Sequence, residues 1–352
     1  MKRTVFKLCV LIAALSLVLN GCEGPHVGPD NPVSNFTNGF FVLNEGLFQL
    51  NNSTISFVSF DGQVKEDVFL AANHRGLGDT GSDLARYGDK IYVVVNVSET
   101  VEITDCNMKS LAQIRLSGKQ PRRIAFYQGY AYVSCFDGSV VQIDTASLNI
   151  TGFQRAGRNP DALCVCNGKL YVANSGGLDY PNYDNTVSVF DLNGFSFVKT
   201  ITVGLNPTHI QCDDYGDVYV QSNGNYGDVG SAFQRIDSRT DEVVQTFDFG
   251  VTGFAIKGDL CYFYDYDYAT AQSVVKVLDV STEKIVNQQF ISDGTNIKTP
   301  YGIDVTPDGS KIIITDAYNY TVSGDVYVFD FYGHCLMKKQ VGLNPSTVLF
   351  MR

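Results

Sequence analysis

Val187-Ser188-Val189-Phe190-Asp191 is a short alternating run closed by an aspartate, and the chain returns to that form throughout its length. It recurs as Phe57–Asp61, Val101–Asp105, Val140–Asp144, Phe233–Asp237, Val275–Asp279 and Val326–Asp330, with successive aspartates 44, 39, 47, 46, 42 and 51 residues apart. Alternation with β-branched and aromatic residues signals a strand. A repeat of this length is that of a four-stranded propeller blade, so seven copies predict an all-β, seven-bladed β-propeller. The closing aspartate has a local purpose: its carboxylate can accept backbone N–H groups two residues on, in an Asx-turn leading to the next strand.

A second strand signal precedes most of these runs: Ile91–Val95, Ala131–Val133, Leu170–Ala173, Val218–Val220, Leu260–Tyr264 and Lys311–Thr315. Turn residues such as Asn167-Gly168 and Asp308-Gly309 stand before it and make a hairpin with the strand upstream. A Gly-x-x-Pro corner opens several units, at Gly118 to Pro121, Gly157 to Pro160, Gly204 to Pro207 and Gly342 to Pro345. Each unit therefore reads corner, strand a, turn, strand b, loop, strand c, Asp turn, strand d.

The two ends are complementary fragments. Phe40–Leu43 and Ile55–Phe60 read as strands b and c with no strand a before them, whereas Gly342–Pro345 is followed by Thr347–Met351 and nothing more. The C-terminal strand is expected to complete the first blade and close the ring, which removes the open edge that invites aggregation.

Residues 1–21 read as a lipoprotein signal peptide. Lys2, Arg3 and Lys7 precede an apolar run from Leu8 to Leu19, too short to span a bilayer comfortably. Leu19-Asn20-Gly21-Cys22 resembles a bacterial lipobox, which implies lipidation at Cys22. Residues 22–37, rich in Gly, Pro, Asn and Asp, read as a flexible tether, leaving 38–352 for the propeller. A formal net charge of −11 argues against a nucleic-acid partner, which needs clustered Lys and Arg. Seven cysteines follow Cys22; their spacing fits neither a disulfide framework nor a zinc site, so buried free thiols are expected.

Propellers usually bind on the face carrying the b–c and d–a loops, and those loops are rich in tyrosine beside Asn or Asp. Asn174, Tyr180, Tyr183, Asn223, Tyr226, Tyr266, Tyr268, Tyr318 and Tyr320 are the candidate ligand-binding residues, offering stacking surfaces and amide partners. Asp79, Arg122, Arg123, Arg158, His209 and Tyr301 lie on the d–a side. Four histidines far apart in sequence give no local catalytic or metal-binding constellation, so no enzyme activity, catalytic residue, metal or resident cofactor is expected.

The Gly-x-x-Pro, Tyr-Val-x-Asn and Val-x-Val-Phe-Asp elements resemble the YncE-like seven-bladed propellers over all of the chain after the tether. Pro300, Thr252-Gly253 and Gly78 to Gly81 stand in for the full corner in three units. The lipobox, the tether and the opening Phe41-Val-Leu-Asn-Glu-Gly46 are similar to surface lipoproteins of gut anaerobes, including the BtuG-type vitamin B12 binders. That resemblance implies a lipid-anchored protein of the outer membrane, at the cell surface, that captures a corrinoid and hands it to a TonB-dependent transporter. A surface interaction scaffold and a lactonase- or hydrolase-like propeller enzyme are the alternatives.

Overall fold

In the computed structural model, residues 34–267, 270 and 272–351 are described, and they form seven antiparallel sheets of four strands each. The innermost strands are Gly81–Tyr87, Pro121–Tyr127, Pro160–Cys166, Pro207–Cys212, Gly253–Lys257, Pro300–Val305 and Pro345–Met351. Each packs beside the next, and the last returns to the first, so the seven sheets are the blades of a closed ring. Closure follows the expectation: Gly39–Asn44 pairs with Thr54–Ser59 on one side and with Pro345–Met351 on the other.

The second strand of each blade carries the core. Lys90–Val95, Lys169–Asn174, Asp217–Ser222 and Lys311–Asp316 are buried at every position after the first, because both faces of a blade meet a neighbouring blade. The outermost strands instead alternate, as in Ser110–Arg115, with one face toward solvent. Apolar side chains from adjacent blades interlock; Phe41, Leu43, Ile55 and Phe57 of the first pack against Ile91, Val93 and Val95 of the second.

Aspartates close the turns in six blades. Asp105, Asp144, Asp191, Asp237, Asp279 and Asp330 each accept the backbone N–H two residues on, at 2.7–3.1 Å. In the first blade the register puts Ser59 in that place, and the Ser59 hydroxyl accepts the N–H of Gln63 at 3.0 Å while donating to Asp61. Asp61 is two residues past the turn position that its sequence pattern suggests.

The glycine of the corner has a definite task. Gly157 N donates to Asn174 Oδ1 at 2.9 Å, while Asn174 Nδ2 donates to Thr186 and Ser188 at 2.9 and 3.0 Å. Asn44 repeats this clasp with Gly342, Thr54 and Ser56. A β-carbon on Gly157 would lie 2.5 Å from Asn174 Cγ, so the approach requires glycine. In the seventh blade, which lacks the glycine, Asp316 takes the N–H groups of Lys298 and Thr299 at 2.8 and 2.9 Å.

Residues just before 38 also pack on the propeller, in one compact unit from Ser34: Ser34 Oγ donates to the Cys106 carbonyl at 3.1 Å, Asn35 N to Asn107 Oδ1 at 2.7 Å, and Phe36 is buried against Phe41 and Phe57. Apolar burial of Phe36 explains why the chain docks there. The signal peptide, Cys22 and the rest of the tether lie outside the described residues. Cys166 and Cys212, at the ends of adjacent inner strands with Cα atoms 5.9 Å apart, form a disulfide, where free thiols were expected. Their separation of 46 residues is one blade repeat, which the ring turns into lateral contact. Cys135, Cys164, Cys261 and Cys335 form no disulfide among the described residues. A helix that the repeat does not imply, Val68–Asn73, is N-capped by Asp67 and links the first blade to the second.

Candidate functional site

The inner strands leave a cavity of about 710 Å³ at the end of the channel where the b–c and d–a loops converge. Its walls come from a repeated position. Strand register aligns Leu84, Ile124, Leu163, Ile210, Phe254, Ile303 and Val348. The residue before each forms one rung of the channel: Asp83, Arg123, Ala162, His209, Gly253, Gly302 and Thr347. A break in register just after the corner in several blades brings a second position to the cavity as well, supplying Arg122, Asp161, Thr208 and Tyr301. Such a bulge re-aims side chains where a regular strand would alternate them.

The two sides of the cavity differ. One is charged. Arg122 contacts Asp161 through Nε and Nη2 at 3.3 and 3.5 Å and lies over the Phe136 ring at 4.7 Å. Arg123 reaches the same carboxylate at 3.9 Å, and donates to the Ser82 carbonyl and to Thr347. Tyr301 donates to Glu45 at 2.8 Å. Burial opposes the charge on Arg122, yet Asp161 and Glu45 outweigh it and raise its pKa. Deeper in, burial pushes the Asp304 carboxyl up to about 7; the Val348 N–H and Arg123 oppose this, and Asp83 adds to it. Asp83 is also raised, chiefly by burial, although it accepts the Ile124 N–H at 2.9 Å.

The other side is neutral. His209 stacks on Phe254 with ring centroids 4.4 Å apart, and burial, helped by Arg123, lowers its pKa to about 4. Thr208, Gln221 and Asn223 bond to one another in a closed triangle at 2.7–3.0 Å. Tyr183 and Tyr226 stand above, their rings 6.2 Å apart and edge to face, with Tyr180 6.0 Å behind Tyr183.

Of the residues expected at the site, Tyr183, Asn223 and Tyr226 line the cavity, Tyr180 is an exposed neighbour, and Tyr320 meets Tyr301 at 5.8 Å on the far side. Three are elsewhere. Asn174 is corrected from ligand contact to fold: it is fully buried and its amide is committed to the corner clasp. Tyr266 packs against the core between the sixth and seventh blades. Tyr318 donates to Asp325, accepts from Lys338 at 3.2 Å and has that ammonium over its ring, so both its hydroxyl and a ring face are engaged. Tyr268 lies outside the described residues.

Arg122, Arg123, His209 and Tyr301 of the d–a side reach the cavity, whereas Asp79 and Arg158 hold loops. Asp79 accepts the Gln49 and Asn51 N–H groups at 3.1 and 3.0 Å. Arg158 binds Asp179 and the carbonyls of Asn182 and Tyr183 at 2.7–3.0 Å, fixing the loop that presents Tyr180 and Tyr183. Sequence reading missed Asp83, Asp161, Phe254 and Asp304. For Asp161 and Asp83 the available signal was position: a charge one residue past the corner Pro160 or two past Gly81, at the start of strand a. Among the described residues no group of three or more His, Cys, Asp or Glu side chains is placed to hold a metal ion.

The family described as a domain of unknown function, DUF5074, matches residues 38–350, and the chain belongs to that family. No curated protein matches it. Among solved structures, a quinoprotein alcohol dehydrogenase-like protein of Bacteroides thetaiotaomicron VPI-5482 is similar with a TM-score of 0.68 at 16% identity, over 90% of this chain and 79% of that one. Hydrazine synthase of Kuenenia stuttgartiensis gives 0.57 at 16% identity, over 69% of this chain and 74% of that one. The computationally designed Ika8 protein gives 0.57 at 14% identity, over 89% and 90%. At these identities the likeness is one of fold, which hosts many unrelated activities.

Proposed function

We propose that this DUF5074 propeller captures a bulky, amide-rich ligand of little net charge at the mouth of its channel, a corrinoid such as vitamin B12, without transforming it. One observation carries the reading: tyrosine faces at Tyr183 and Tyr226 stand over a cavity whose charges nearly cancel. Arg122 and Arg123 face Glu45, Asp83 and Asp161; His209 is neutral, and Asp83 and Asp304 are drawn toward their protonated forms. A site of this kind rewards stacking area and neutral hydrogen bonds more than ligand charge.

In the same reading Cys22 anchors the protein to the outer membrane at the cell surface, and the ligand passes to a TonB-dependent transporter. Exposed Phe48, Leu50, Leu178 and Val322 sit on the loops of that face and give a partner apolar surface to meet. The lipobox supports the anchor: Cys22→Ala is expected to move the protein from the membrane fraction to the soluble one on cell fractionation, and retention in the membrane would refute lipidation there.

Calorimetry of residues 34–352 with cyanocobalamin tests the capture. We expect saturable binding that a Tyr183→Ala, Tyr226→Ala variant weakens by roughly 2–4 kcal/mol, the worth of two buried stacking contacts. Absence of binding at high micromolar ligand would sink the corrinoid assignment.

A further inference from the structure

His209 is the imidazole that lines the cavity, and several features set it apart from a core histidine. Its ring is seated on Phe254, which fixes its plane, while no hydrogen bond from either ring nitrogen occurs among the described residues. Its neighbours on the same rung are Ala162 and Gly253, so no long side chain crowds it from the adjoining blades. A β-carbon on Gly253 would meet the Tyr264 ring at 2.6 Å, so the Tyr264 ring fills the place a side chain at 253 would take. The facing groups are Arg123 and Asp161. Arg123 discourages protonation, and the Asp161 carboxylate is shared between two guanidinium groups. The imidazole therefore keeps a free nitrogen lone pair at neutral pH.

An imidazole nitrogen with its lone pair free is a strong ligand for first-row transition metals. We propose that His209 binds the bound ligand's own metal, donating a ring nitrogen to an exchangeable axial position of a corrinoid cobalt. This inference rests on the capture reading above and adds to it the form of corrinoid preferred. The step is a ligand exchange without electron transfer. In aquocobalamin the cobalt–oxygen bond to the axial water breaks, the cobalt–nitrogen bond to His209 forms, and water leaves. Cyanocobalamin, whose axial cyanide is held far more firmly, binds the same cavity without that bond.

The test compares the two probes by visible absorption and by calorimetry. With aquocobalamin the wild-type protein is expected to shift the corrin absorption bands and to bind roughly tenfold or more tightly than with cyanocobalamin, about 1.4 kcal/mol or more. His209→Gln is expected to abolish the shift and level the two affinities, with its fold verified by circular dichroism and thermal unfolding; His209→Asn provides a second, smaller replacement. Binding of both probes with no shift, or a shift that survives both replacements, overturns the axial role and leaves the capture reading standing. Failure of both probes to bind overturns the two together.

Discussion

Asp304 is a carboxyl that the ring forces into an unfavourable place. It stands in the channel beside Asp83, and accepts the N–H of Val348 on the strand that closes the first blade. Its pKa in the folded protein is about 7, against 3.8 for an unperturbed aspartate, so the folded state holds a proton that the unfolded state has released. Its contribution is therefore most favourable below pH 4 and is lost as pH rises through 7. Asp304→Asn keeps an acceptor for Val348 and removes the titration. We expect it to raise the melting temperature at pH 8 and to change it little at pH 5, checked by calorimetry at the two pH values; an equal effect at both would contradict the buried, protonated assignment. His209 works in the opposite direction: with its pKa lowered from 6.5 to about 4, it withdraws stability as pH falls through that interval. No feature of the sequence around Asp304 announces this, because its charged neighbours Asp83 and Arg123 come from two other blades.

Among elements, the corner and the end of strand b act as one unit. Asn174 was read as a loop residue because it follows Leu170–Ala173 and precedes a polar stretch, but the backbone carries it as the last residue of the strand. Its three hydrogen bonds join the start of one strand to the middle of another. Asn174→Ala would leave the Gly157 N–H and two hydroxyls without this partner, and we expect a loss of about 1–3 kcal/mol in stability, measured by denaturant unfolding, with ligand affinity nearly unchanged. A large loss of affinity with stability intact would restore Asn174 to the site. Tyr318 was misread for a related reason. Asp325 and Lys338, which occupy it, are on the third and fourth strands of its own blade, and only cross-strand pairing makes them neighbours. The loops after Asn174 and Ser222 were legible as lining one mouth of the channel, since Tyr183, Asn223 and Tyr226 do meet at the cavity.

For the whole molecule, strand spacing carried the architecture and left the channel obscure. A Val-Ser-Val-Phe-Asp run reports its own strand and turn through local chemistry, so seven such runs reported seven blades. The channel is different in kind: Glu45, Asp83, Arg122, Asp161, His209 and Tyr301 are contributed by six blades, and their juxtaposition exists only once the circle is complete. The disulfide between Cys166 and Cys212 was hidden by the same effect, because one blade repeat separates them along the chain.

The pairing of Gly39–Asn44 with Pro345–Met351 also imposes an order on biosynthesis. Translation delivers the first of these strands some 300 residues ahead of its partner, and domains emerge at about 5–20 residues per second. For tens of seconds the nascent chain carries an apolar edge, Phe40-Phe41-Val42-Leu43, with nothing to pair on that side. Contacts so remote in sequence form late, so the interval before release is when the polypeptide is most exposed to misassembly. Escorting factors that shield extended segments would matter most during that interval.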